Sequence, residues 1–137
     1  MSDPKSENYA GKKPVLIVED NHVNRELFSF QLRHFGLASQ YATNGKEAVE
    51  LVEADPDSFS LILMDLQMPI MDGITATELI RQKEANTDRH IIIVALTAND
   101  STGIYEQCIA AGMDDFVNKP STLSKLSETL GKWLKDS

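Results

Sequence analysis

Short, wholly apolar runs recur along this chain, and each is followed by a stretch long enough for a helix. Val15–Val18, Leu61–Met64 and Ile91–Ala95 are the clearest. A strand with no polar face must be covered on both sides. Strands of this kind alternating with amphipathic helices make a parallel sheet with helices packed on both faces. The pattern predicts strands at Pro14–Val18, Ala38–Ala42, Leu61–Met64, Ile91–Leu96 and Asp115–Val117. Helices are expected at Val23–Phe35, Asn44–Ala54, Gly73–Glu84, Ser101–Ala111 and Ser121–Leu134. Gly36 and Gly112 end two of the helices, and Asn44 caps another. Asp55-Pro56-Asp57-Ser58 breaks the chain, and Gln67 to Gly73, holding Pro69, is a loop. Five strands and five helices in alternation make an α/β, (βα)5 doubly wound domain.

Three of the apolar runs end on polar groups. Val18 leads into Glu19-Asp20, Met64 into Asp65, and Ala95 into Leu96-Thr97. The carboxyl ends of parallel strands are where α/β sheets collect ligands and chemistry. If these strands are neighbours, three acids and a hydroxyl converge. Asp65 matters most, because a carboxylate after four apolar residues is costly to bury without a partner. Like charges so close repel, and a cation must compensate. Oxygen ligands with no His or Cys nearby suit Mg2+. Lys119 is the second candidate cation. Acids, metal, lysine and the Thr97 hydroxyl together make a phosphoryl-transfer site.

Composition narrows the partners. The chain has 137 residues, enough for one domain with its own core, and a net charge of −8 from 13 basic and 21 acidic residues. That balance argues against a nucleic-acid surface, which needs clustered Lys and Arg. Cys108 is the single cysteine, so neither an intramolecular disulfide nor a thiolate metal cluster forms, and a reducing, cytoplasmic setting is the simplest expectation. No apolar stretch approaches the roughly 20 residues of a membrane span. Met1 to Lys13 is polar and reads as a tail or linker, with the domain proper at 14–137. In the first helix Phe28, Leu32 and Phe35 form a core-facing row. Val23, Leu27 and Phe30 form a second row, which reads as a broadening of the core stripe or, more sharply, as an exposed docking face.

In order along the chain, Glu19-Asp20, Met64-Asp65 with Met68-Pro69 and Met71-Asp72-Gly73, Ala95-Leu96-Thr97-Ala98, and Asp114 through Pro120 resemble the receiver domain of two-component response regulators. The resemblance covers residues 14 to about 135. The Asp20 to Asn24 stretch and Met64 to Pro69 look most like receivers of hybrid histidine kinases. The resemblance implies a flavodoxin-like strand order, 2-1-3-4-5. It implies that Asp65 is the phosphoacceptor and that Lys119 and Thr97 assist it. Mg2+ would be bound by Asp20, Asp65 and the Gln67 main-chain carbonyl, with Glu19 acting through water. Thr97, the Ala98 amide and Lys119 would hold the phosphoryl group. Thr97 and Phe116 match switch positions, and Gln67 and Asn99 match positions that tune aspartyl-phosphate lifetime. The implied partner is a histidine kinase or a histidine-containing phosphotransfer protein, docking near Val23, Leu27 and Phe30, with no nucleic acid and no membrane contact. Any chemistry would be limited to self-catalysed phosphorylation and slow hydrolysis. The chain is expected to be a receiver from a longer hybrid kinase, whose parent could be membrane-anchored, or else a stand-alone regulator.

Plainer explanations exist for each residue alone: a helix cap for Asp20, a loop carboxylate for Asp65, a surface ammonium for Lys119, a strand-end or cap hydroxyl for Thr97, a core ring for Phe116. Five such coincidences at these spacings are improbable. His22, His34 and His90 have no metal-ligand spacing, Cys108 reads as a small buried hydrophobe, and Asp114-Asp115 reads as a polar turn. A haloacid dehalogenase-type phosphatase would want a second Asp where Gln67 stands. A flavodoxin-like module would want a Ser/Thr/Gly-rich loop in place of Glu19-Asp20-Asn21.

Overall fold

The computed structural model describes Tyr9 and residues 11–98, 102–119 and 121–134. The five strands are β1 (Val15–Val18), β2 (Ser39–Ala42), β3 (Leu61–Asp65), β4 (Ile93–Thr97) and β5 (Asp115–Asn118). The helices are α1 (His22–His34), α2 (Gly45–Ala54), α3 (Gly73–Glu84), α4 (Thr102–Ala111) and α5 (Leu123–Leu134). All strand pairs are parallel, in the order β2-β1-β3-β4-β5.

Alternate side chains of β1, β3 and β4 feed two cores, to which the edge strands β2 and β5 add Ala42 and Val117. Leu16, Val18, Ile62, Met64, Ile93 and Ala95 pack against α2, α3 and α4 through residues such as Val52, Ala76, Ile80 and Cys108. Val15, Ile17, Leu61, Leu63, Val94 and Leu96 pack against α1 and α5 through Phe28, Leu32, Leu126 and Leu130. Both faces of β1, β3 and β4 are therefore dry, as the unbroken apolar runs require. Tyr9, within the stretch expected to be tail, is buried in the second core, and its N–H donates to Phe35 O.

Several boundaries move from their expected positions, each for a local reason. Asn21 caps α1 by accepting from the Asn24 N–H, so the helix begins at His22 rather than Val23. Asp65 belongs to β3, where it pairs with Leu96. Strand β4 starts at Ile93, not Ile91. The Ile91 N–H is taken by the Glu84 carboxylate and its carbonyl by Arg81, so Ile91 cannot join a ladder. The fifth helix starts at Leu123 rather than Ser121: Thr122 Oγ1 accepts from the Lys125 N–H, and Ser121 O accepts from Gln31 Nε2.

Two features shape the ends of the sheet. In the β3–α3 loop, Ile70 has φ +71° and the Met71 N–H donates to Pro69 O at 2.7 Å. That is a γ-turn with a β-branched residue in the left-handed region, a strained arrangement. At the opposite end of the sheet, Arg81 donates from Nε to Gly112 O, from Nη1 to Glu84 and Ile91 O, and from Nη2 to Asp114. Asp114 also accepts from the Ile93 N–H and pairs with His90. The expected polar turn at Asp114-Asp115 is thus a half-buried clamp joining α3, α4, β4 and β5, and His90, though exposed, is part of it. Asp115 begins β5 and accepts from Trp133 Nε1, fixing α5. Among the described residues no helix is long and apolar enough to cross a membrane.

Candidate functional site

Glu19, Asp20 and Asp65 meet at the carboxyl ends of β1 and β3. Each offers an oxygen, and the three oxygens lie within 4.8 Å of one another. The register explains the meeting: Val18 pairs with Met64, so the next residues along, Glu19 after β1 and Asp65 at the end of β3, stand side by side. Glu19 and Asp65 are almost wholly buried, whereas Asp20 is exposed. Lys119 reaches them from the end of β5. Its Nζ lies 3.0 Å from Asp65 Oδ1 and 3.2 Å from Glu19 Oε2. The Lys119 N–H donates to Thr97 O, which extends the β4–β5 ladder by one bond and fixes where the lysine starts.

These groups border a cavity of about 450 Å³. Thr97 and Ala98 line it from the end of β4, Gln67 and Asp72 from the β3–α3 loop, and Ile104 and Gln107 from α4. The Gln67 N–H makes a long contact, 3.5 Å, with Asp65 Oδ1. Thr97 is buried at the rim and Ala98 is exposed. Asn99 lies outside the described residues. Phe116 is 37% exposed and stands edge-on to Tyr105, so it is not a core ring.

The charges do not balance. Burial pushes the Asp65 carboxyl up to about 6, Lys119 opposes that rise, and Glu19 adds to it. Burial alone would lower Lys119, but its contacts with Asp65 and Glu19 outweigh this and raise it. One ammonium thus faces three carboxylates. The donors are all hard oxygens, packed closely enough to share one small ion, with Asp20 open to solvent. This donor set fits a divalent cation of the Mg2+ type.

Residues that the sequence reading overlooked hold the acids in place. Asn24 Nδ2 donates to Glu19 Oε1 at 3.1 Å, so Glu19 is held from both sides, by Asn24 and by Lys119. Arg25 Nη1 donates to the main-chain carbonyls of Glu19 and Asp20. Their signal in the sequence was only their place in the first turn of α1, one helical turn after the acids. On the same helix Val23 and Phe30 are 71% and 62% exposed, and Leu27 is half-buried. The second apolar row therefore does not broaden the core stripe; most of it faces water.

Comparison with known proteins agrees with this geometry. The model of the response regulator receiver domain family matches residues 15–131. Hybrid signal transduction histidine kinase A of Dictyostelium discoideum is 38% identical over 125 residues. The match takes in 90% of this chain but only 6% of that relative's length. Among solved structures, the receiver domain of the Arabidopsis thaliana histidine kinase CKI1, complexed with Mg2+ and BeF3−, superposes with a TM-score of 0.82 at 31% identity, covering 93% of this chain and 92% of that one. The receiver domain of the Saccharomyces cerevisiae response regulator Ssk1, crystallised with the histidine phosphotransfer protein Ypd1, gives 0.80 at 35%, covering 89% and 88%. With its strand order, its strand-end acids and its lysine all in register, this chain belongs to the response regulator receiver domain family of two-component phosphorelay systems.

Proposed function

We propose that Asp65 accepts a phosphoryl group from a partner phosphohistidine. The observation that carries this reading is the contact of a buried strand-end carboxylate, Asp65, with the Lys119 ammonium, beside two further acids and an open cavity. An Asp65 carboxylate oxygen attacks phosphorus. The new O–P bond gives an aspartyl phosphate, the N–P bond breaks, and its electron pair returns to the imidazole. Lys119 keeps Asp65 ionised and then pairs with the phosphoryl oxygens. Thr97 and the Ala98 amide donate to the same oxygens. Asp20, Asp65 and the Gln67 carbonyl would hold Mg2+, with Glu19 acting through bound water, and the ion when bound offsets negative charge on the transferring group.

The added charge and acceptor oxygens would draw Thr97 inward, and Phe116 would follow. The face from α4 to α5 would report the event by shifting a pre-existing equilibrium. Gln67 and Asn99 would tune the lifetime of the product. Support for a phosphotransfer partner comes from the Ssk1–Ypd1 pair and from the exposed Val23 and Phe30 on α1, where we place docking, with Leu27 beside them. The hybrid kinase relatives support a longer parent kinase. Within it we place the receiver at 14–137, with 1–13 as a linker that Tyr9 fastens to the second core, and a cytoplasmic location is in keeping with the single cysteine.

Incubation with acetyl phosphate and Mg2+, followed by intact mass measurement, tests the reading. One phosphoryl group should appear on the wild type, and none on Asp65→Asn or in the presence of a chelator. Modification that persists in Asp65→Asn would refute the assignment.

A further inference from the structure

We infer that Arg25 is a positioning residue for the divalent-cation site, and that Tyr41 of the edge strand holds it in place. This rests on the reading of Glu19 and Asp20 as metal-binding acids. The two are consecutive in the connection between β1 and α1. Arg25, one turn into the helix, donates from Nη1 to both of their main-chain carbonyls at 3.1 Å. Its Nη2 lies 3.5 Å from His22 Nδ1, and its guanidinium carbon lies 4.6 Å from the Tyr41 ring centroid. Tyr41 sits in β2 opposite Ile17 and is 60% exposed, so it serves as a platform rather than as core.

The physical need is specific. Glu19 is already fixed through its side chain by Asn24 and Lys119. Asp20 is exposed and faces two other carboxylates, which repel it. Where its carboxylate points depends on how its peptide plane is set. A planar guanidinium that gathers the carbonyls of residues 19 and 20 on one side sets that plane. A lysine ammonium in its place would carry the charge without the planar face that stacks on Tyr41 or the second nitrogen that reaches His22. Stacking on Tyr41 removes the freedom the long side chain would otherwise keep.

Charge and positioning predict opposite outcomes. A cation beside a Mg2+ site repels Mg2+, so if Arg25 acted by charge alone, its removal would tighten binding. Positioning requires the reverse. Mg2+ affinity should be measured by titration calorimetry in wild type, Arg25→Ala, Arg25→Lys, Tyr41→Ala and Tyr41→Phe. We expect both Arg25 variants to bind about 10-fold more weakly, at the lower end of outer-shell effects. Tyr41→Ala should lose about 2–5-fold, and Tyr41→Phe should match the wild type, since the ring is what stacks. Phosphorylation by acetyl phosphate should recover toward the wild-type rate at saturating Mg2+, which a general loss of structure would not allow. Should Arg25→Ala fail to fold, Arg25→Lys, which keeps the stem and charge, decides the matter. Arg25 variants that bind Mg2+ as tightly as the wild type, or more tightly, would overturn the inference, and equal affinities of Tyr41→Ala and Tyr41→Phe would remove Tyr41 from it. A wild type that binds no Mg2+ would instead sink the phosphoacceptor reading itself.

Discussion

Asp65 pays for its position in a way that pH can expose. Its folded pKa, about 6, is raised above the ordinary carboxylate value. A raised acid favours the fold when protonated, so this contribution is fully present below about pH 4 and is lost as pH rises through about 6. In the absence of divalent ions, Asp65→Asn should therefore be more stable than the wild type at pH 7.5, by on the order of 1–3 kcal/mol. The difference should shrink toward zero near pH 4; thermal melts across that range check it. Lys119→Met should act in the other direction. It leaves Glu19 and Asp65 buried without their cation and should cost about 2–4 kcal/mol at pH 7.5, with less loss at acidic pH where Asp65 takes up a proton. At this scale Glu19-Asp20, Asp65 and Thr97 stood out because they close apolar runs, whereas Lys119, one polar residue beyond Val117, stood out only through the resemblance and its place before Pro120. Asn24 and Arg25 were not. One acts on a side chain and the other on main-chain oxygens, and neither interaction leaves a periodic trace.

At the scale of elements, the alternation of runs and helices made the topology readable, and the differences arose at element ends. Side chains that take up backbone groups decided those ends: Glu84 and Arg81 at Ile91, Thr122 before α5, Asn21 before α1. The start of α3 is the tightest of these junctions. A Cβ on Gly73 would stand 2.1 Å from Asp65 O, a backbone atom that cannot yield without moving the site. Gly73→Ala should cost about 2–3 kcal/mol and weaken Mg2+ binding as well, whereas Asp72→Ala, which removes the cap bond to Thr75, should cost only about 1 kcal/mol. Chemical denaturation of the two variants beside a Mg2+ titration would separate them. The left-handed Ile70 could not be read from the sequence, since nothing in Met68-Pro69-Ile70-Met71 marks φ > 0.

Across the whole molecule, the acid cluster should make stability depend on metal. An ion that binds only the folded chain at ten times its dissociation constant adds about 1.4 kcal/mol. The melting temperature should rise with Mg2+ in the wild type and much less in Asp20→Asn; calorimetric scans across Mg2+ concentrations would show it. Arg81 matters at the same scale. It grips Gly112 and Asp114, the turn between α4 and β5, at the end of the sheet remote from Asp65. The segment from α4 into β5 is thus pinned at its turn, while its other end adjoins Thr97 and Lys119. Were phosphorylation at Asp65 to disturb this segment, as proposed, the Arg81 contacts would act as a pivot, and displacement would be expected to grow with distance from it, toward the first turns of α4, where Tyr105 rests on Phe116.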